Sequence, residues 1–307
     1  MPIYRTLFPL WLALAALFIR PGNGQADEIL VLRGAPLKPY DEAIAGFNRV
    51  ISALPQTPGV KTIAPYVIDQ LDITGPEAIT APEEQITALH PEMVLAVGGE
   101  ALAVVKDRTM PVISVLATDL GLAQGPASRI HQVPIVVPPA GQLSAIGQNL
   151  PTIRRVGILY DPRNSAALLT AFRAAAEQQH MTLIAMELAE PKLTHKALTA
   201  MENSIDALLL IPDPTVVTPL TMELFALFSL EKRIPIIAFS PKYLKLGAVM
   251  SIYTPPSAMG EAAGRLAGQL LTGVRPGSLD PIKPTVEVEI NQRVAQIIGL
   301  DLTRNKN

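Results

Sequence analysis

The sequence predicts an α/β protein of two lobes, each a doubly wound parallel sheet, and three observations predict it. Apolar strand-like runs alternate with helical runs along nearly the whole chain, the pattern of parallel sheets covered on both faces. In the second half the apolar runs end in loops bearing Asp, Asn or Ser, as in RRVGILYDPRNS and DALLLIPDPTVV. At 307 residues the chain exceeds one typical domain, and a Gly- and Pro-rich segment, residues 121–142, interrupts the alternation where one lobe passes to the next.

The elements follow in order. A single Arg in MPIYR precedes an apolar run, residues 6–19, that is shorter than the ~20 residues of a membrane span. Behind it RPGNGQA sets Gly24 and Ala26 at the small-residue positions of a cleavage site, so residues 1–26 read as a secretory leader cut after Ala26. An uncleaved anchor is the alternative. With no Cys the leader is not a lipoprotein signal and no disulfide forms, so a free, soluble, exported protein is expected.

In the first lobe, residues 28–33 (EILVLR) read as a strand. The next helix carries Ala43, Ile44, Phe47, Val50 and Ile51 at helical spacing. Residues 93–97 and 111–116 are further strands, separated by the short helical stretch EALAVVKD. The second set runs strand 156–160, helix from about 164 to 180, strand 182–186, helix, strand 207–211, long helix, and strands 234–239 and 248–252. In its first helix Leu168, Leu169, Phe172, Ala175 and Ala176 form the buried stripe, and Asn164 or Ser165 supplies the cap. Gly260, Gly264 and Gly268 recur every four residues in the helix MGEAAGRLAGQLLTG, a spacing that reads as close helix-to-sheet packing, with a dimer seam as the alternative. TVEVEI alternates apolar and polar residues like a half-exposed edge strand, and NQRVAQIIGL closes the chain as a helix.

Composition and motifs exclude several classes of function. Half the residues are apolar, so the chain is not disordered, and the formal charge is only −2 with Lys and Arg scattered, so nucleic acid is not an expected partner. No Gly-x-Ser-x-Gly elbow, P-loop or dinucleotide fingerprint occurs. His90, His131, His180 and His195 are isolated in sequence, and there is no Cys to act as metal ligand or nucleophile. Glu83 and Glu84 are adjacent, and on a helix they diverge. Neither an enzyme nor a cofactor or metal is expected.

Several stretches resemble the ABC-transporter substrate-binding proteins of the tryptophan and tyrosine type: NLPTIRRVGILYDPRNS, DALLLIPDPTVV, IPIIAFS, LGAVMS, GEAAGRLAGQLLTGVRPG and VEINQRVAQIIGL. Together they cover about half the chain in the family's order. The resemblance implies a periplasmic-binding-protein type I fold, two α/β lobes joined by three crossings and closing on a ligand. The implied lobes are residues 27–125 with 253–285, and 126–252 with 286–307, the third crossing lying near residues 284–288. It also implies a periplasmic, monomeric protein that captures a small molecule and presents it to an ABC permease in the inner membrane. A sensor of the same fold, read by a membrane receptor or kinase, is the alternative.

Ligands of open parallel sheets settle at the carboxyl ends of the strands. The residues there that suit a small zwitterion are Arg33, Lys38, Tyr40, Gly98, Gly99, Glu100, Thr118 and Asp119 in the first lobe. In the second they are Asp161, Asn164, Ser165, Asp213, Ser240 and Tyr243, with Tyr253 at the crossing. Arg33, Lys38 or the Gly98 and Gly99 amides would hold a carboxylate, Asp213 or Asp161 an ammonium, and Tyr40, Tyr243 or Tyr253 an aromatic side chain. For each, the other reading is a turn or cap residue that meets only water.

Overall fold

The computed structural model describes residues 29–54, 68–72, 86–87, 90–117, 128–274, 278–279 and 283–300. The leader, Glu83, Glu84, Thr118, Asp119 and the start of the 121–142 segment lie outside the described residues. The first sheet is ordered β2-β1-β3-β4-β5 and is parallel throughout. It comprises β1 (Ile29–Arg33), β2 (Ile68–Asp72), β3 (Met93–Val97), β4 (Val112–Val115) and β5 (Ile130–Gln132), with helices α1 (Lys38–Ser52) and α2 (Gly99–Val105) between strands. The next helix is α3 (Pro139–Asn149). The second sheet then follows with β6 (Arg155–Tyr160), α4 (Pro162–Gln178), β7 (Thr182–Glu187), α5 (Thr194–Met201), β8 (Ala207–Leu209), α6 (Pro219–Lys232), β9 (Ile236–Ala238) and β10 (Met250–Tyr253). After α7 (Pro256–Leu271) come β11 (Glu287–Ile290) and α8 (Gln292–Ile297). This sheet is ordered β11-β10-β9-β8-β6-β7, parallel except that β11 runs antiparallel at the edge, where its alternating pattern put it.

Each sheet is buried on both faces because its central strands are apolar without interruption. In β1, Ile29 and Val31 pack with Phe47 of α1 and Met259 of α7, while Leu30 and Leu32 face Leu102 and Val105 of α2. In β6, Val156 and Ile158 meet Ile146 of α3 and Phe172 of α4, while Leu159 meets Met201 of α5 and Phe225 of α6. No described helix is long and apolar enough to cross a membrane.

Three sequence expectations change. β5 pairs with β4, Ile113 opposite His131, so the first sheet holds the chain as far as Gln132 and not only to residue 125; IHQ has no apolar run to betray a strand, and its backbone supplies the pairing. Tyr253 ends β10 in the second sheet and does not open the first-lobe segment. The glycines of α7 meet a helix, α1, and not a sheet. A Cβ on Gly260 would sit 1.8 Å from the Ala43 carbonyl oxygen, and one on Gly46 of α1 would sit 2.1 Å from that of Ser257. The helices run side by side at backbone contact, with an ion pair between Arg49 and Glu261 across the seam. Thus α7, which follows the second sheet in sequence, completes the first lobe.

Candidate functional site: two strand-end rims

The positions of the crossings orient the two lobes. Residues 133–138 lead from the carboxyl end of β5 into α3, which packs on α4. Residues 254–255 lead from the carboxyl end of β10 into α7, which packs on α1 and β4. The return crossing enters β11 at Glu287, paired with Tyr253 at the same end of β10. All three crossings therefore lie at carboxyl ends of strands, the same ends that carry the polar rims of both sheets.

On the first rim, Arg33 at the end of β1 bridges Asp41 at 2.5 Å. Lys38 projects from the first turn of α1, its side chain 88% exposed and 3.6 Å from Glu42. Tyr40 lies against Gly98, where φ is +97°, and a Cβ there would fall 2.6 Å from the phenolic oxygen. A Cβ on Gly34 would fall 3.0 Å from Glu100 Oε2, while one on Gly99 would meet nothing within 4 Å. Burial, and then the charge of Glu100, pushes the Tyr40 phenol above its usual pKa. Glu100 thus stands over Gly34 and Tyr40 over Gly98, close enough for the carboxylate's charge to act on the phenol. At the end of β4, Leu116 adopts φ +53°, a conformation that costs a non-glycine residue about 1–2 kcal/mol, immediately before the segment holding Thr118 and Asp119.

The second rim is built from two Asp-Pro turns at the ends of the neighbouring strands β6 and β8. Asp161 precedes Pro162 and caps α4 by accepting the Arg163 N–H at 3.0 Å, so it and not Asn164 or Ser165 is the cap. Proline at the first helical position lacks only an N–H that would have no partner there. Asp213 precedes Pro214 and accepts the N–H groups of Thr215 and Val216 at 3.0 and 3.3 Å. The turns interlock. Asp213 also accepts from the Asp161 N–H at 2.8 Å, Ser165 Oγ at 2.7 Å and Asn164 Nδ2 at 3.1 Å, while Thr215 Oγ1 donates to Asp161 at 2.8 Å. Arg163 forks onto Asp161 through Nε and Nη2. Its hydrogen bonds hold the Asp161 carboxyl far below the usual carboxylate range, against the effect of burial. Both aspartates are 1% exposed and fully committed to protein donors, so neither is open to an ammonium as expected.

The remaining candidates scatter. Ser240 opens the 3₁₀ turn Pro241–Leu246 without capping it. Tyr243 is a core residue, its ring edge-on to Phe239 with a centroid distance of 5.1 Å and Lys242 Nζ 4.8 Å above it. It also borders a 430 Å³ groove against Thr218 and Met222. Tyr253 is bonded to Glu287 at 3.0 Å and to Glu289; burial and then these carboxylates push its pKa well up. The structure therefore groups Tyr40, Gly98, Gly99 and Glu100, with Arg33 beside them, on one rim, and Asp161, Asn164, Ser165 and Asp213 on the other. Sequence reading missed Arg163 and Thr215. Both stand two residues after an Asp in Asp-Pro-x, where an Asx-type turn brings the following N–H onto the carboxylate.

The family model described as ABC transporter substrate binding protein matches residues 76–305. Among solved structures, the ligand-free, open form of CD0873, a substrate-binding protein with adhesive properties from Clostridium difficile, aligns with TM-score 0.71 at 15% identity, covering 92% of this chain and 98% of that one. An ABC domain from Streptococcus pneumonia in complex with L-Trp aligns at 0.54 and 20% identity, covering 89% and 95%. A conserved domain protein from Vibrio cholerae aligns at 0.54 and 18%, covering 91% and 96%. No curated protein matches the sequence significantly.

Proposed function

We propose that this chain, which belongs to the ABC transporter substrate-binding protein family, captures an amino-acid-like solute between its two rims and hands it to an ABC permease in the inner membrane. It is a binding protein and not an enzyme. One observation carries the reading: all three crossings stand at carboxyl ends of strands, so a solute in the cleft contacts both rims, and closure about the hinge gains contacts that the open form lacks. The contacts proposed are Arg33, Tyr40, Gly98, Gly99 and Glu100 on the first lobe, Arg163, Asn164, Thr215 and Ser240 on the second, and in addition Thr118 and Asp119. Asp161, Ser165 and Asp213 shape the second rim from beneath; Lys38, Tyr243 and Tyr253 are left out of the contact set. The protein acts as a monomer outside the cytoplasmic membrane, its leader cut after Ala26 and no lipid attached, there being no Cys to carry one.

Calorimetry and thermal shift of the mature protein over L-amino acids, short peptides and sugars test the reading. A cognate solute at a hundredfold excess over Kd raises stability by about 2.7 kcal/mol. If sugars bind and amino acids do not, the ligand class is wrong; if nothing in the panel binds, capture itself is refuted. N-terminal sequencing of the exported protein checks for a start at Asp27, and that product lacks Trp11, the chain's one Trp, so it emits tyrosine fluorescence only.

A further inference from the structure

We infer that Glu100, with the Tyr40 hydroxyl beside it, is the anchor for the solute's ammonium, so that the ligand lies with its positive end on the first lobe. The inference rests on the amino-acid-like reading above and reverses the polarity expected from sequence. An ionised carboxylate offers about four lone-pair sites. Asp213 already accepts five protein donors, and Asp161 accepts the Arg163 backbone N–H, two nitrogens of its guanidinium and the Thr215 hydroxyl. An ammonium reaching either must displace bonds that hold the two turns together. Among the described rim side chains, three more carboxylates are also engaged: Asp41 by Arg33, Glu187 by the Tyr160 hydroxyl and Glu190 by Lys192.

Glu100 differs. It is exposed at the carboxyl edge of the first sheet, and no hydrogen bond or ion pair holds its carboxylate among the described residues. The absent side chains at Gly34 and Gly98 make the room: a Cβ on the first would stand 3.0 Å from Glu100 Oε2, and one on the second 2.6 Å from Tyr40 Oη. A carboxylate beside a phenol suits an ammonium, which needs acceptors and gains further from an aromatic face. The same carboxylate repels a ligand carboxylate from the Gly98 and Gly99 amides, and α2, with only seven residues, offers little dipole to offset it. Across the cleft, Arg163 has its side chain 71% exposed and uses Nε and Nη2 on Asp161, leaving the Nη1 edge for an acid group.

The test compares wild type, Glu100→Gln and Tyr40→Phe, as mature full-length protein, by calorimetry with three probe sets: L-amino acids, the 2-hydroxy acids that lack only the ammonium, and the decarboxylated amines. An amino acid that binds wild type should bind Glu100→Gln roughly tenfold or more weakly, the weight of one charge-assisted hydrogen bond. Its 2-hydroxy acid should bind wild type poorly and lose nothing further in Glu100→Gln; Tyr40→Phe should show a smaller loss. Because Glu100 is exposed, circular dichroism should show its Gln variant folded as wild type. Equal affinity of wild type and Glu100→Gln for the amino acid, or a 2-hydroxy acid that binds as tightly as the amino acid, overturns the inference while amino-acid capture stands. If no amino acid binds wild type, both fall together.

Discussion

Replacing Asp213 with Ala separates a structural acid from a ligand-binding one. In the folded protein its carboxylate receives the N–H groups of Asp161, Thr215 and Val216, the Ser165 hydroxyl and the Asn164 amide, all between 2.7 and 3.3 Å. Truncation leaves Asn164, which is exposed, free to bond water, and the Ser165 hydroxyl free to rotate. The three backbone N–H groups cannot turn away, and a buried donor left unmade costs about 1–3 kcal/mol. Allowing one of the three to find water, the loss is about 3 kcal/mol, a large share of the 5–15 kcal/mol typical of a domain. Asp213→Asn keeps the shape and one acceptor oxygen, so it should lose about half as much. The assay is urea unfolding of ligand-free protein followed by circular dichroism, comparing midpoints at equal slope. If Asp213→Ala leaves the ligand-free midpoint unchanged and weakens only solute binding, the interlocked-turn account is wrong and the acid does contact ligand.

Further outcomes follow from the same geometry. Gly260→Ala should destabilise by about 3 kcal/mol or more, the upper end of overpacking costs, because the obstacle 1.8 Å from the new methyl is the Ala43 backbone and α1 must move as a body; a melting temperature within error of wild type would refute the seam. Asp161 has a folded pKa depressed by Arg163, so it contributes stability that is full above the unfolded value of about 3.9 and lost as pH falls toward the folded one. The stability gap between wild type and Asp161→Asn should accordingly be widest at neutral pH and shrink below about pH 4. A gap that stays constant down to pH 2, measured by urea midpoints, would show that Arg163 does not hold the charge.

Legibility in the sequence followed burial. The interior strands β1, β3, β4, β6 and β8 to β10 are apolar runs because both their faces are covered, and a run bounded by turn residues is visible to the eye. β2 and β5 sit at the two edges of the first sheet, and IDQLD and IHQ carry no such run. The helix α3 went unread because PAGQLSAIGQN opens on the second of two consecutive prolines and is only moderately amphipathic. At the rims, strand-end positions identified Asp161 and Asp213, but their roles depend on partners about fifty positions away, as in the bond from the Asp161 N–H to Asp213. Residue type says that a carboxylate is present. Only the fold says how many donors already point at it.

The late position of α7 sets a timetable for folding. The described strands of the first sheet have all been made by Gln132, yet the face of that sheet carrying Ile29 and Val31 stays open until Met259, Ala263 and Leu266 arrive. A chain synthesised from its amino end therefore leaves Ile44 and Phe47 of α1 without their α7 partners for most of its length. A fragment ending before residue 256 would thus lack the closing helix of a lobe whose described strands it contains.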